Sequence, residues 1–230
     1  MQMTGKIFRY FLRIVVWFIA ISVISVIFFR FIPIPITPLM IIRCIEQNSD
    51  NKEIKLKKNW VSLNEISSAM PLAAIAAEDQ KFEEHSGFDL EAIKKAENYN
   101  EKHHGKKVKG ASTISQQTAK NLFLWPNRSW VRKGFEVYFT FLIEIFWSKR
   151  RIMEVYLNII EMGDGIYGID AAAQTYFHKP ASKLSVRESA LIAAILPSPL
   201  KWSPAKPNPR VQKKANRIVH FISQLKFADF

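Results

Sequence analysis

The sequence predicts a mainly α fold behind an N-terminal membrane-spanning helix, and three observations carry that prediction. Apolar residues recur at helical spacing, most clearly as Val211, Ala215, Ile218, Val219, Ile222 and Leu225. Thr113 with Gln116 and Ser185 with Glu188 stand at capping-box spacing ahead of helical runs. No strand-like alternation of useful length and no internal repeat occurs.

A chain of 230 residues that is 48% apolar can bury a sizeable core in one domain and leave length for an anchor and a tail. Its formal net charge of +13 suits nucleic acid, an anionic membrane surface or an acidic substrate. The N-terminus selects the membrane. Ile14 to Phe29 is interrupted only by Ser22 and Ser25, and extension back past Arg13 to Ile7 makes it long enough to span a bilayer. Lys6, Arg9 and Arg13 precede or enter this run whereas Arg30 alone follows closely, which puts the N-terminus inside and the remaining domain outside the cytoplasm. Phe28-Phe29-Arg30-Phe31 offers no small-residue cleavage site, so a retained anchor is expected in preference to a signal peptide. Four of the 33 Lys and Arg lie in the first thirty residues and none of the 20 acids does, so the exported part is itself basic. Cys44 is the only cysteine, which excludes an intramolecular disulfide and a cysteine-rich metal site.

Pro33, Pro35 and Pro38 break the spanning helix and predict a stiff, extended juxtamembrane connector. Arg43 to Trp60 mixes charge with few apolar residues and is expected to be irregular. The expected division is therefore an anchor at 1–32, a connector at 33–65 and a catalytic-sized domain at 66–230. A helix is predicted from Ser67 or Ser68, with Pro71 in its first turn, through an alanine-rich run to Glu78. Glu78, Asp79, Glu83, Glu84, His85 and Asp89 then follow within twelve residues. At i, i+3 and i+7, Ile75, Glu78 and Phe82 would share a helical face, setting Glu78 among apolar neighbours as a desolvated acid suited to proton transfer. The competing reading is a frayed, solvated helix end.

Glu91 to Lys109 is polar and basic and predicts a short helix followed by a loop. The histidines in His103-His104-Gly105-Lys106-Lys107 lack supporting ligands, so no metal site is assigned to them. Gly110 to Asn121 has the form of a capped helix start, whose free N–H groups suit phosphate oxygens. Gln117, Lys120 and Asn121 share one face of that helix. An ordinary capped helix with a polar outer face explains the same residues. Arg132, Lys133 and Glu136 lead into a helix to Trp147 that is apolar nearly all round, hence buried or partly against lipid. Arg132 and Glu136 at i, i+4 form either an intrahelical ion pair or, with Glu136 as a second carboxylate, part of a cleft. Trp125 and Trp130, flanking Pro126-Asn127-Arg128-Ser129, suit a membrane interface or the core. Ile152, Val155, Tyr156 and Ile159 give the next helix a buried stripe, stopped by Gly163 and Gly165. Helices follow over Ile169 to Phe177 and Ala190 to Leu196, then a proline-rich irregular segment around Trp202 and the final amphipathic helix.

These stretches form one ordered pattern. Glu78, Asp79, Phe82, His85, Gly87 and Asp89 make a first motif, and Gly110, Ser112, Thr113, Gln116, Gln117, Lys120 and Asn121 a second. Arg132, Lys133 and Glu136 make a third, Lys149 to Asn158 a fourth and Gly168 to Pro199 a fifth. In these, the chain from about Ile66 to Leu225 resembles the monofunctional biosynthetic peptidoglycan glycosyltransferases, or peptidoglycan transglycosylases, and the glycosyltransferase domain of class A penicillin-binding proteins. The resemblance implies a lysozyme-like helical domain at the outer face of the cytoplasmic membrane. It further implies that lipid II, an undecaprenyl-pyrophosphate-linked disaccharide-pentapeptide, is polymerised into glycan strands with inversion at the anomeric carbon.

By that resemblance Glu78 is the general base for the acceptor 4-hydroxyl, while Lys133, Arg132 and Lys120 stabilise the leaving pyrophosphate. Ser112, Thr113, Gln117 and Asn121 line the site, and Asp79, Phe82 and His85 bind substrate or frame the base. Glu136 positions these groups or helps bind a divalent cation, Mg or Mn, at the pyrophosphate; the motifs themselves require no cofactor. The implied partners are the membrane, lipid II, the nascent lipid-linked glycan and cell-wall synthesis proteins including a transpeptidase, and no nucleic acid. A sequence ending at Phe230 has no room for a transpeptidase half, so glycan synthesis without cross-linking is expected. A lysozyme-like lytic glycosidase would also place an acid on a helical fold, but it does not need the basic and amide groups between Gly110 and Glu136. A noncatalytic lipid II-binding module would bind without turnover.

Overall fold

A computed structural model of the protein describes residues 2–103, 109–127 and 129–224, with side chains from Phe8 onward. His104 to Lys107 of the histidine loop, Arg128, Leu225 and the side chain of Lys6 lie outside the described residues. The chain forms two compact units, Met1–Pro33 and Ile34–Phe230.

The first unit is the single helix α1, Gln2–Phe29. Its segment Phe8–Phe29 is 22 residues of mean hydropathy 2.6, long and apolar enough to cross a membrane. The hydroxyls of Ser22 and Ser25 donate to the carbonyls of Ile19 at 2.9 Å and Ile21 at 2.7 Å, so neither interrupts the apolar surface with an unpaired donor.

The second unit is mainly α. Its helices are α2 (Pro38–Ser49), α3 (Ala69–Glu78), α4 (Leu90–Lys102), α5 (Ile114–Phe123), α6 (Trp130–Phe146), α7 (Lys149–Ile159), α8 (Ile169–Phe177), α9 (Val186–Ile195) and α10 (Pro209–Gln224). A small sheet of β1 (Lys57–Lys58), β2 (Glu161–Gly163) and β3 (Ile166–Tyr167) stitches the segment after α2 to the hairpin after α7. β1 runs parallel to β3 with Lys57 opposite Ile166, and β2 runs antiparallel to β3. The expected irregular chain from Arg43 to Trp60 is corrected here, because α2 continues through it to Ser49. Pro38 supplies the pre-set backbone angle of a first helical position and Thr37 caps it, so a proline expected to extend the chain instead starts a helix. The polar residue Gln47 serves a tertiary tie, its amide donating to Asp164 Oδ1 at 3.0 Å and accepting from Lys55 N at 2.8 Å.

Two helix groups position the site. α3, α9 and α10 pack together, and α5 packs against α2, α6 and α7. Both predicted capping boxes form, at Thr113/Gln116 and Ser185/Glu188. The predicted stripe of α7 is buried at Ile152, Val155, Tyr156 and Ile159. The outer face of α6 differs from its inner one: Phe139, Leu142 and Ile143 are buried, while Val137, Phe141 and Ile145 are exposed together with Trp130 at its start.

The joint between α7 and α8 tolerates little change. Buried Asn158 donates from Nδ2 to the carbonyls of Val61 at 2.9 Å and Glu154 at 2.8 Å, and accepts from Val61 N at 2.9 Å. Gly168 packs onto the backbone of that residue with φ +79°, where an added Cβ would stand 2.6 Å from the Asn158 carbonyl oxygen. We expect Gly168→Ala to destabilise the domain by about 2–4 kcal/mol, read as a lowered denaturant midpoint with an unchanged slope.

Candidate active site

α3 ends at Glu78, and Asp79 leaves the helix at φ −159°. The shared helical face expected for Ile75, Glu78 and Phe82 therefore does not exist, since Phe82 lies in the turns beyond the helix end. The reason is the carboxylate of Asp79, whose side chain is 2% exposed. His85 Nε2 stands 2.9 and 3.1 Å from its two oxygens, and Ile114 N donates to Oδ2 at 3.0 Å. Gly87 N donates to His85 Nδ1 at 3.1 Å, so Nδ1 is the acceptor and the ring proton facing Asp79 sits on Nε2. Leaving the helix at Asp79 thus places one carboxylate against the first N–H of α5.

That contact revises one expectation. The N-terminus of α5 is not an open cradle for a substrate phosphate at Ile114 and Gln116, because Asp79 takes the first N–H and Thr113 Oγ1 accepts the second at 3.1 Å. Asp79 is itself the anion that the helix start attracts. Thr113 Oγ1 also donates to the Gly87 carbonyl at 2.7 Å, fastening the loop 79–87 from the other side. Phe82 is 1% exposed and lies beneath the loop, edge-on to His85 and capped by Lys149 Nζ 4.7 Å from its ring centre. Lys149 Nζ donates to the His85 carbonyl at 2.6 Å and to Glu144 Oε1 at 2.8 Å, and Ser115 Oγ donates to the same Glu144 oxygen. Asp79, Phe82, His85 and Thr113 are consequently the inside of the scaffold, with Glu144, Ser115 and Lys149 completing it.

Glu78 faces polar partners where apolar ones were expected. Gln117 Nε2 donates to Glu78 Oε2 at 3.1 Å, and Lys214 Nζ of α10 donates to Oε1 at 3.3 Å. Tyr156 OH donates to Gln117 Oε1 at 3.3 Å, which turns the amide nitrogen toward Glu78. Complete burial, then the negative charges of Glu78 and Asp79, push the Tyr156 phenol well above its ordinary value, so it remains a donor. Lys214 and Tyr156 carry no signal as site residues in the sequence. Lys214 is 136 positions from Glu78 on a helix that reads only as amphipathic, and Tyr156 reads as core.

The site residues fall into three places. Glu78, Asp79, Ser112 and Thr113 line a cavity of about 350 Å³ that also meets Asp89 and Gly110. Gln117, Lys120 and Asn121 line another, of about 200 Å³, whose wall includes Arg43 and Glu161. Gln117 joins the two, since its amide reaches Glu78 while its side chain borders the second cavity. On α6, Glu136 is 3% exposed and grips two cations, Arg132 Nη1 at 2.5 Å and Lys133 Nζ at 2.5 Å. Arg132 and Glu136 are thus the intrahelical pair, but in a buried cluster that also holds Lys133 near the surface at 38% side-chain exposure. No hydrogen bond or ion pair joins this cluster to Glu78 among the described residues.

The donor set at Glu136 does not fit a protein-held divalent cation, because an ammonium and a guanidinium already occupy its two oxygens. Among the described residues no group of three acidic, histidine or cysteine side chains is arranged to hold a metal. The arrangement can instead hold a carboxylate at a cavity edge and offer cations on α5 and α6 to an anion.

A family model described as transglycosylase matches residues 47–223. The biosynthetic peptidoglycan transglycosylase of Bacteroides thetaiotaomicron is 53% identical over 218 residues, 95% of this chain and 87% of that protein. The protein of the same description from Caulobacter vibrioides is 56% identical over 200 residues, covering 87% of this chain and 84% of its own. That of Pseudomonas fluorescens is 47% identical over 228 residues, 99% of this chain and 94% of its own.

The Asp79 junction makes an exacting substitution available. Asp79→Asn keeps the shape but must aim its amide N–H at either His85 Nε2–H or Ile114 N–H, both donors. We expect a loss of about 1–3 kcal/mol in unfolding free energy, measured by denaturant titration, with Asp89→Asn on the outer rim as the milder comparison.

Proposed function

The chain belongs to the transglycosylase family, and we propose that it polymerises lipid II into the glycan strands of peptidoglycan, with Glu78 as the general base. The observation that carries this reading is the posture of Glu78, held at its two oxygens by Gln117 and Lys214 on the rim of a cavity shared with Ser112 and Thr113. Each oxygen of a carboxylate held in this way keeps a further lone pair with which it can accept a proton. As the acceptor 4-hydroxyl attacks the anomeric carbon, Glu78 takes its proton. The C–O bond to pyrophosphate breaks with its electron pair, and the configuration inverts in a single displacement.

The leaving undecaprenyl pyrophosphate gains negative charge, which calls for fixed cations. Lys120 on α5 and Lys133 and Arg132 on α6 are the groups assigned to it. Glu136 holds Arg132 and Lys133 in place, acting through them and not on substrate. A divalent ion at the pyrophosphate would take its ligands chiefly from the substrate's oxygens. Asp79 and His85 position Glu78 by fixing the turn that follows it. The expected setting of Glu78 among apolar neighbours gives way to a hydrogen-bonded, ion-paired carboxylate.

A lipid-linked substrate asks for a membrane surface. Phe8–Phe29 supplies a candidate span, and the positive-inside bias would leave the catalytic unit outside the cytoplasm. The exposed Trp130, Val137, Phe141 and Ile145 on α6 supply an apolar strip of the kind that rests in an interface. Partnership with a transpeptidase is compatible with the same location.

The test is incubation of the full-length protein with labelled lipid II in detergent or vesicles. A lengthening glycan ladder is expected, and release of fragments from preformed glycan with no ladder would overturn the reading in favour of a lytic enzyme. Glu78→Gln should lower the polymerisation rate by about 100-fold or more with lipid II still bound, and Lys133→Ala by about 10- to 100-fold.

A further inference from the structure

One basic surface remains after the pyrophosphate has been assigned to α5 and α6. Between Pro197 and Gln224 the sequence carries Lys201, Lys206, Arg210, Lys213, Lys214 and Arg217 and not one Asp or Glu. Arg210, Lys213, Lys214 and Arg217 fall at i, i+3, i+4 and i+7 of α10, so they line one face of the helix. They line an open groove of about 500 Å³ together with Pro197, Trp202 and Pro209. Lys214 lines this groove and also donates from its ammonium to Glu78 Oε1, so the groove adjoins the reacting centre. Arg210, Lys213 and Arg217 have no carboxylate partner among the described residues, and all three are exposed.

We propose that this groove on α10 binds the stem peptide of the saccharide at the reacting centre, its carboxylates against Arg210, Lys213 and Arg217 and its alanine methyl groups against Trp202 and Pro197. This rests on the reading of the protein as a lipid II polymerase. Charge complementarity selects the occupant. A ligand for this groove must carry both anionic and apolar groups, and must start within reach of the sugar at Glu78. A stem peptide has carboxylates, carries alanine side chains and branches from a sugar ring of the substrate itself. The prenyl chain lacks the charge, and the pyrophosphate is met by a different set of cations.

The experiment measures binding of fluorescent lipid II to the full-length protein in detergent, by anisotropy, with the stem carboxylates either free or converted to amides. For the unmodified protein the free-carboxylate form should bind about fivefold more tightly or better, the scale expected of one to two exposed ion pairs. In Lys213→Ala/Arg217→Ala that ratio should fall to about one, and Lys213→Arg/Arg217→Lys should restore it. Equal affinities of the unmodified protein for the two ligands overturn the proposal. So does a ratio that survives the double alanine variant while binding to phosphatidylglycerol vesicles is lost, since the row would then serve lipid headgroups. The ratio is read without turnover, so failure to polymerise lipid II would overturn the proposed function and leave the groove to be judged by binding alone.

Discussion

The buried carboxylate of Asp79 is the contact on which the rest of the site depends. It lies between two donors of different origin, the imidazole of His85 six residues ahead and the backbone of Ile114 on α5. A carboxylate enclosed without donors would be expensive to bury, so chain direction after α3 is dictated by the need to reach both. The same bonds end the helix at Glu78, close the loop around Gly87 and dock the N-terminus of α5. Glu78 is held where it is because its neighbour in sequence cannot be anywhere else.

The positive charge of the protein is divided among distinct tasks. Some cations are structural: Lys149 braces the loop beneath His85, and Lys58 donates to the Ile34 carbonyl at 2.7 Å. Others are gathered by buried Glu136, which lowers their mutual repulsion and fixes their positions on α6. Lys214 stands apart from both groups, attached to Glu78 itself. A net charge is therefore a poor guide to a binding surface until each cation has been matched with its carboxylate, and the row on α10 draws attention because that matching leaves it unanswered.

Much of the fold was legible in the residues. Helix starts at Thr113 and Ser185 are local events, decided by a side chain and the N–H three positions on, and they form as the spacing predicts. The buried stripes of α7 and α10 are equally local, because a helix shows the same face to its core every three to four residues. What failed were inferences that carried a local pattern across a boundary. Glu78 and Phe82 share a face only if the helix continues, and Pro38, unlike Pro33 and Pro35, extends the chain only if no cap precedes it. Thr37 and Asp79 settle those cases, one by starting a helix and the other by ending it.

By itself, then, the sequence determined the helical class, the apolar span near the N-terminus, the capping boxes at Thr113 and Ser185 and the set of acids, amides and cations from which a site could be assembled. Only the tertiary structure decided how that set is shared out: Ser112 and Thr113 with Glu78 at one cavity, Lys120 and Asn121 at another, and Lys214 brought to Glu78 from 136 residues away. The physical reason is range. Capping and periodicity act within one or two helical turns and leave their mark in adjacent residues. A hydrogen bond between α10 and the end of α3 exists only because packing of both helices with α9 brings them together, and no spacing along the chain encodes it.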